Sequence, residues 1–394
     1  MSVRAQNSSS TDIPADSFQV SLLTCSPSSE EAYTLFGHTA IRCRDWRHGS
    51  DWVFNYGVFN FKQPYFIPRF LLGLTDYELG VLPFSVFINE YKREGRSVTE
   101  QILNLSTLEK QTLYRSLIDN YEHESLRVYR YNFLSANCTT KARDIIGRCI
   151  DGTVQYTHID APYPSTRALL HELTSSYRWA TMTNDLCLGA LADIPSTYEA
   201  CQFLPLQLMN DFSEAQISDT QGQRRLVSAT YQLLPATSVA HTSAAWFTPT
   251  LFGLLLLSLI TALSIMEERR QRCFVAVDLL LFTLISIVGL LLWLLLFSQH
   301  PTTSTNLQCL LFHPLPLLFL RALYRNNATR FWDIELCMLI LFFLGWFIQD
   351  YAEGVLLIGI CLLLRCYVHR HQLSLYSRIF GLQGSLFNLI KYSR

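Results

Sequence analysis

The stretch SANCTTKARDIIG, residues 135–147, places a cysteine at a predicted helix start. Asn137 is a favoured N-cap residue. The residues after it fall at the i, i+3, i+4, i+7 spacing of one buried helix face: Ala142, Ile145, Ile146 and Cys149. Cys138 therefore lies in the first turn, where N–H groups and the helix dipole favour a thiolate and could hold an oxyanion. The pattern predicts either a nucleophile or, as the alternative, a packed structural thiol.

The sequence around this stretch predicts a sheet with helices. SFQVSLLTCS at 17–26 and GHTAIRCRD at 37–45 alternate in polarity, and WVFNYGVFNF at 52–61 is aromatic and β-branched, so all three are predicted strands. Residues 107–124 have the pattern of an amphipathic helix with a Ser/Thr start, and 126–133 form another predicted strand. The order of strands, helix, strand and helix indicates the α+β class. The polar stretch QISDTQGQRR is predicted to be a loop.

A cysteine nucleophile is commonly activated by a histidine. The chain has ten histidines, and His38 is the best placed because it lies within a predicted strand, between a glycine and a small Thr-Ala pair. His48 falls in a polar turn, and His123 falls at a charged helix end. A single cysteine at a helix start and a single strand histidine are each more often structural. The residues alone therefore leave the catalytic and structural interpretations evenly balanced.

The C-terminal half has the composition of a membrane-embedded domain. Only 16% of the chain is charged and 49% is hydrophobic, whereas soluble domains carry about 25% charged residues. Five apolar segments are predicted to cross the bilayer as helices, and the third is broken by Pro314 and Pro316. The segments are 249–266, 274–297, 309–324, 334–348 and 354–368.

The loops between these segments set the expected orientation. Arginines follow the first, third and fifth segments, whereas the other two loops hold no Lys or Arg. Since basic loops favour the cytoplasm, the C-terminus is predicted to lie inside and the N-terminal half outside. An exported domain normally follows a signal peptide, but residues 1–16 lack an apolar core and are expected to be disordered. The expected orientation therefore rests on the loop charges.

Charge and cysteine spacing argue against several other functions. The net charge of −1 gives no indication of nucleic-acid binding. The eleven cysteines include no CxxC pair and no His-Cys cluster with metal-ligand spacing, so neither a metal nor another cofactor is expected. The spacing of Cys187 and Cys201 leaves an extracytoplasmic disulfide open.

Several longer stretches carry a resemblance to a known family. They are LLTCSPSSEEAYTLFGHTAIRCRD, VFNYGVFNF, YELGVLPFSVFINEYKREGRSVTEQILNLS and YRYNFLSANCTTKARDII. Together they resemble the bacterial Lnb family of membrane-anchored lipoprotein N-acyltransferases, over most of residues 17–370. The resemblance implies an α+β, permuted papain-like soluble domain of the lecithin:retinol acyltransferase type. An all-α transmembrane helical domain would follow it.

The resemblance also implies roles for particular residues. Enzymes of this type place a histidine on a strand ahead of an Asn-Cys pair at a helix start, so Cys138 would be the nucleophile and His38 the general base. Asn55 is the candidate to orient the imidazole, with a plain cross-strand polar residue as the alternative. Asn137 could serve only as the helix cap. Arg42 shares the face of His38 in an ideal strand, and it could bind a phosphate or carboxylate, or pair with an acid such as Asp144.

From these patterns we expect a periplasmic thiol acyltransferase domain at 17–235, a linker at 236–248, a transmembrane domain at 249–370 and a cytoplasmic tail at 371–394. The protein would be a multi-pass protein of the inner membrane. It would move an acyl chain from a phospholipid, through a thioester, to the α-amine of a diacylated lipoprotein. Nucleic acid is not an expected partner. Two alternatives remain open: a membrane-tethered cysteine hydrolase of peptidoglycan or lipid amides, and a non-enzymatic envelope assembly module.

Overall fold

The computed structural model describes residues 17–28, 35–59, 62, 64–157, 162–237, 246–325 and 328–371. The segment expected to be disordered, 1–16, lies outside the described residues, as do most of the expected linker and all but the first residue of the expected tail. The described residues form two compact units, with divisions at Pro164/Ser165, Ile194/Pro195 and His241/Thr242.

The first unit is built on an antiparallel sheet. Its strands are β1 (Phe18–Cys25), β2 (His38–Asp45), β3 (Ser50–Val58), β4 (Asp76–Pro83), β5 (Val98–Leu103), β6 (Val128–Arg130) and β10 (Val227–Leu234). They lie in the order β10-β5-β1-β2-β3-β4-β6. A smaller sheet joins β7 (Thr153–Gln155), β8 (Gln216–Asp219) and β9 (Gly222–Arg225). The strands predicted for β1, β2 and β3 are confirmed.

The helices of the first unit lie between these strands. They are α1 (Phe66–Leu71), α2 (Phe84–Arg93), α3 (Thr107–Glu122), α4 (Glu124–Arg127), α5 (Cys138–Cys149), α8 (Tyr198–Cys201) and α9 (Pro205–Glu214). The predicted helix at 107–124 is confirmed as α3, which begins at a capping box between Ser106 and Glu109. The predicted helix after Asn137 is confirmed as α5.

Alternating residues of the sheet face two separate cores. Ile41 of β2 packs with Ile145 and Ile146 of α5 in one core. Ala40, the next residue on β2, packs with Phe87 of α2 in the other. This alternation follows from the two-residue period of a strand, and each fully buried isoleucine or phenylalanine contributes roughly 1.5–3 kcal/mol. The sheet is therefore held rigidly between helices, and β2 and α5 are fixed relative to each other.

Two predictions of local structure need correction. The strand predicted at 126–133 is only the three residues Val128–Arg130, because a short helix precedes it. The polar stretch QISDTQGQRR is not a loop but the β8–β9 hairpin. Its turn forms because Oδ1 of Asp219 accepts hydrogen bonds from the amides of Gln221 and Gly222. The strands β4 and β5 and the helix α2 were not predicted from the sequence.

The second unit is helical. It contains α6 (Thr166–Thr174), α7 (Arg178–Cys187), α10 (Pro249–Arg270), α11 (Val275–Leu295), α12 (Pro316–Tyr324), α13 (Thr329–Gly345) and a last helix, α14, at 355–371. Among the described residues, two helices are long and apolar enough to cross a membrane, namely α10 and α11, with mean hydropathies of 2.1 and 2.6.

The third predicted span is not one continuous helix. A 3-10 turn at Leu307–Leu310 is followed by an irregular stretch, and α12 begins only at Pro316. Proline lacks an N–H and is tolerated at a helix start rather than within a helix. The nine residues of α12 extend roughly 14 Å, about half the hydrocarbon core of a bilayer.

Residues 165–194 belong to the helical unit, although the sequence led us to expect them in the periplasmic domain. Buried side-chain amides hold this segment. Asn306 donates to the carbonyl of Leu186 at 2.6 Å, and Gln308 donates to that of Asp185 at 2.8 Å. Gln349 donates to the carbonyl of Leu188 at 3.0 Å. These bonds give donors to buried backbone carbonyl oxygens, which would be costly to bury without a hydrogen bond.

A fully buried ion cluster links three helices of the same unit. Arg365 of α14 is 0% exposed and binds Glu267 of α10 and Asp278 of α11. Its Nε lies 2.7 Å from Oδ1 of Asp278, and one terminal nitrogen lies 3.0 Å from Oε1 of Glu267. Nε2 of His369 lies 2.7 Å from Oδ2 of Asp278. Each charge in the cluster therefore has a partner of opposite charge.

Candidate active site

Asn137 fixes the start of α5 and with it the position of Cys138. Its Oδ1 accepts hydrogen bonds from the amides of Thr139 and Thr140, at 3.0 and 2.9 Å. Its Nδ2 donates to the carbonyls of Phe133 and Phe203, at 2.9 and 2.8 Å. Asn137 is thus a cap that also ties two loops to the helix start. Because the amides of Thr139 and Thr140 are engaged by the cap, they do not form the oxyanion site that the sequence suggested.

His38 begins β2 and is held at a fixed orientation. Its register partner on β1 is Cys25. The preceding residue, Gly37, has a φ of +79°, and a Cβ there would lie 2.7 Å from the carbonyl oxygen of Cys25. Nε2 of His38 lies 2.5 Å from Oδ1 of Asn55 on β3. Since an amide oxygen can only accept, Nε2 carries the proton, and Nδ1 is the nitrogen available to a second partner.

That second partner is the thiol of Cys138, which hydrogen-bonds to the imidazole of His38. Burial opposes ionisation, but the charge and hydrogen bond of His38 outweigh it and lower the pKa of Cys138 to about 7. The backbone amide of Thr39 and the hydroxyl of Thr139 also donate to the sulfur. Burial likewise opposes ionisation of His38, yet the thiolate raises the pKa of that imidazole. The two groups thus stabilise each other's charged forms.

Three other thiols of the first unit differ from Cys138 in the direction of their pKa shift. Burial raises the pKa of Cys25 to about 12 and that of Cys201 to about 11, and it raises the pKa of Cys43 further still. In the second unit, burial raises the pKa of Cys187 to about 11. Cys187 and Cys201 belong to different units, so the disulfide that their spacing left open stays a prediction. Cys138 is therefore set apart by its environment rather than by its residue type.

Cys138 and His38 face a small pocket that six Phe and Tyr residues help to line. Its volume is about 110 Å³. The lining residues are Phe36, Gly37, His38, Gly57, Phe59, Tyr77, Tyr131, Phe133, Asn137, Cys138, Thr139, Phe203, Leu204 and Pro205. The pocket is large enough for an ester or amide group and a few water molecules, since one water occupies about 30 Å³ of liquid.

Gly57 keeps the approach to the sulfur open. It lies at a β-bulge in β3 with a φ of +99°, and a Cβ added there would lie 3.6 Å from Cβ of Cys138. A side chain at this position would therefore meet backbone strain, and its Cβ would be in van der Waals contact with Cys138. In the sequence, the role of Gly57 is indicated only by the presence of a glycine inside the aromatic strand FNYGVFN.

The structure brings together four of the five residues singled out from the sequence: Cys138, His38, Asn55 and Asn137. Arg42 does not line the pocket. Its guanidinium is buried, binds Asp51 at 2.6 Å and Glu100 at 3.1 Å, and lies 3.4 Å from the ring centre of Phe84.

The alternative that Arg42 pairs with an acid is confirmed, but its acids are Asp51 and Glu100. Asp144, the acid given as an example, binds its neighbour Arg143 instead. The aromatic walls were not predicted, since residues such as Tyr77, Tyr131 and Phe203 have no sequence feature that distinguishes them from core aromatics. Among the described residues, no cluster of His, Cys, Asp and Glu has the composition of a metal site.

Comparison with known families gives two matches. Residues 5–172 match the Lnb N-terminal periplasmic domain, and residues 241–375 match the Lnb transmembrane domain. No curated protein and no solved structure shows significant similarity to the chain. The two matches occur in the order of the sheet-rich and helical units, and between them they cover most of the 394 residues. The chain is therefore a membrane protein of the Lnb family, in which a periplasmic N-terminal domain precedes a transmembrane domain.

Proposed function

We propose that this protein is a lipoprotein N-acyltransferase. It would transfer an acyl chain from a phospholipid to the α-amine of a diacylglyceryl-cysteine lipoprotein, with a thioester at Cys138 as the intermediate. The observation that carries the proposal is the Cys138 thiol, whose pKa is lowered to about 7 by an imidazole that Asn55 orients. A thiolate available near neutral pH is the form of cysteine that attacks an acyl carbon.

In the first step, the thiolate attacks the ester carbonyl of the phospholipid. The carbon–sulfur bond forms, the ester carbon–oxygen bond breaks, and the imidazolium of His38 gives its proton to the departing lysophospholipid oxygen. In the second step, neutral His38 takes a proton from the attacking amine. The carbon–nitrogen bond forms, the carbon–sulfur bond breaks, and the thiolate returns. The aromatic walls limit the entry of water, which favours the amine over hydrolysis.

We infer that the N-terminal fold is a permuted papain-like domain of the lecithin:retinol acyltransferase type. Two features support this inference. The nucleophile lies at the N-terminus of a helix that packs on an antiparallel sheet. The base and its orienting amide lie on adjacent strands, β2 and β3, which precede the nucleophile in the chain.

We further infer a multi-pass location in the inner membrane, with the N-terminal domain, expected at 17–235, in the periplasm. The segments at 249–370 would form the membrane domain, in which the third segment would cross as a 3-10 turn, an irregular stretch and the short helix α12 rather than as one continuous helix. The arginines that follow the first, third and fifth segments support a cytoplasmic C-terminus. Both proposed substrates are anchored in the bilayer, so membrane attachment raises their effective concentration at the site.

The test is replacement of the nucleophile. Cys138→Ala should abolish N-acylation of lipoproteins, measured by mass spectrometry of their N-terminal peptides from cells that depend on this protein. Cys149→Ser is the matched control, because Cys149 lies on the same helix, is buried outside the pocket, and lies 3.7 Å from Ser116. Unchanged N-acylation in Cys138→Ala would refute the proposal. Release of free fatty acid without amide formation by the native protein would instead indicate the hydrolase.

A further inference from the structure

An exposed apolar surface lies beside the pocket, on the segment that contains α1. Tyr65 is 81% exposed, Ile67 is 70% exposed and Phe70 is 37% exposed. We refer to these three side chains as the apolar lip. Large apolar side chains that are exposed together mark a contact surface more often than isolated ones do. The lip is therefore a candidate for binding an apolar partner.

The backbone presents the lip at some energetic cost. Tyr65 caps the start of α1 with a φ of +57° and a ψ of +34°. The left-handed region is unfavourable for a bulky residue, by roughly 1–3 kcal/mol. Strained residues cluster at functional sites, and Tyr65 is also the most exposed of the three side chains of the lip.

A stack of aromatic rings connects the lip to the nucleophile. Phe70 stacks on Tyr131 with ring centres 6.4 Å apart, and Tyr131 stacks on Tyr77 at 4.0 Å. Tyr77 stacks on Phe59 at 4.9 Å, and Phe59 stacks on Phe66 at 5.8 Å. Tyr131, Tyr77 and Phe59 also line the pocket that holds Cys138. An apolar chain that lies along these rings would therefore lead from the lip to the sulfur.

The charges next to the lip suit an anionic head group. Arg69 lies within α1, and Arg130 lies on β6. Both bind the same carboxylate, that of Asp76, at 3.0 and 2.9 Å. Two arginines that share one acid leave one positive charge in excess. Both are about half exposed, with 36% and 47% of their side-chain surfaces accessible. Apolar and aromatic side chains bordered by arginine are typical of elements that lie in a membrane interface.

We propose that the apolar lip inserts into the surface of the phospholipid bilayer, and that the aromatic stack guides one acyl chain of a phospholipid to Cys138. The proposal rests on the proposed function for the identity of the acyl donor. The pocket volume of about 110 Å³ holds the reacting ester but not a long acyl chain. Most of the chain therefore has to lie outside the pocket, where Phe66 and Phe70 continue the stack from the pocket residues Phe59 and Tyr131. A transmembrane domain in the same polypeptide keeps the lip within reach of a bilayer.

The first experiment tests insertion directly. The full-length protein, with the photo-crosslinker p-benzoylphenylalanine at position 67, is reconstituted into vesicles of phosphatidylethanolamine and phosphatidylglycerol and irradiated. Mass spectrometry should find phospholipid adducts at position 67. Position 108 is the matched control, because Leu108 is 68% exposed on α3 and does not line the pocket. Two results would overturn the proposal. One is crosslinking of position 67 to a second copy of the chain or to a lipoprotein. The other is lipid crosslinking at position 67 that does not exceed that at position 108.

The second experiment separates this proposal from the proposed function. Formation of the Cys138 thioester is measured by intact mass with two donors, the vesicle phospholipid and a water-soluble butyryl thioester. Ile67→Asp should lower the ratio of phospholipid to butyryl acylation at least tenfold, and Leu108→Asp should leave that ratio unchanged. An unchanged ratio in Ile67→Asp would overturn the role of the lip, whereas the absence of any thioester in the native protein would refute the proposed function.

Discussion

Two polar clusters in this protein, one in each unit, differ in their access to a cavity. In the first unit, His38, Asn55 and Cys138 form a half-buried chain whose sulfur faces a pocket. In the second unit, Arg365 and its acidic partners are sealed, with Arg365 0% exposed. A closed cluster with matched charges can only hold helices together, whereas an ion pair that borders a cavity can react. The two clusters therefore differ in function because the sulfur of Cys138 faces a pocket and Arg365 is sealed, and not because only one of them is charged.

The largest expected effect comes from removing the base. His38→Ala should lower the rate of Cys138 acylation about 10²–10⁴-fold, because proton transfer and stabilisation of the thiolate are both lost. Single-turnover acylation followed by intact mass measures this rate. The thermal unfolding of the helical unit should not change. A His38→Ala protein that acylates at the native rate would mean that the contact with Cys138 is only structural.

The opposite result is expected in the sealed cluster, where a substitution should lower stability and leave the reactivity of Cys138 unchanged. Arg365→Met should destabilise the helical unit by about 3–5 kcal/mol, because Glu267 and Asp278 would remain buried without a cation. Thermal unfolding in detergent measures the loss, and iodoacetamide labelling of Cys138 should keep its native rate.

Arg370→Met is the matched control for this substitution. Arg370 lies on the same helix and pairs with Asp333 at the surface, so its loss should cost less than about 1 kcal/mol. Equal effects of the two substitutions would show that burial of the cluster does not determine its strength.

The pH dependence of Cys138 labelling tests the pairing of Cys138 with His38. Since the pKa of Cys138 is lowered to about 7, the thiolate is lost as the pH falls through that value. The iodoacetamide labelling rate of Cys138 should be constant above about pH 8 and should fall roughly 100-fold by pH 5. A midpoint near 9, the value of an ordinary cysteine, would remove the evidence for an ion pair.

The smallest effect is expected at the orienting amide. Asn55→Ala should slow acylation about tenfold, since one hydrogen bond to a charged group contributes about 1.5–3 kcal/mol and part of that is recovered by water. The labelling midpoint of Cys138 should move upwards. Asn55→Asp should retain the orientation because a carboxylate also accepts from Nε2. Loss of activity in Asn55→Asp with no change in Asn55→Ala would argue against an orienting role.

The parts of the site that follow from local patterns could be predicted. The cap at Asn137 and the buried face of α5 depend on neighbouring residues, and the alternation of β2 places His38 on a strand. The contact between His38 and Cys138 came instead from the family resemblance, because local patterns do not fix the approach of distant elements.

Other features depend on partners far along the chain. The burial of Arg42 is set by Asp51 and Glu100, which lie on β3 and β5. Residues 165–194 are held by Gln308 and Gln349, more than 100 positions away. Amphipathic helices such as α6 and α7 can pack on a sheet or on a helical bundle, and their sequence does not distinguish the two. The break in the third membrane segment, by contrast, has a local signal, because Pro314 and Pro316 show in the sequence where a continuous helix is interrupted.

The cap at Asn137 has a consequence for biogenesis. Its amide group joins the start of α5 to the carbonyl of Phe203, and the imidazole that activates the sulfur belongs to a strand near the other end of the unit. Under the proposed mechanism, Cys138 becomes a reactive thiolate only after both ends of the domain have assembled around it. During export and folding it would behave as an ordinary, mostly protonated cysteine. This order would protect the nascent chain from oxidation and from premature acylation.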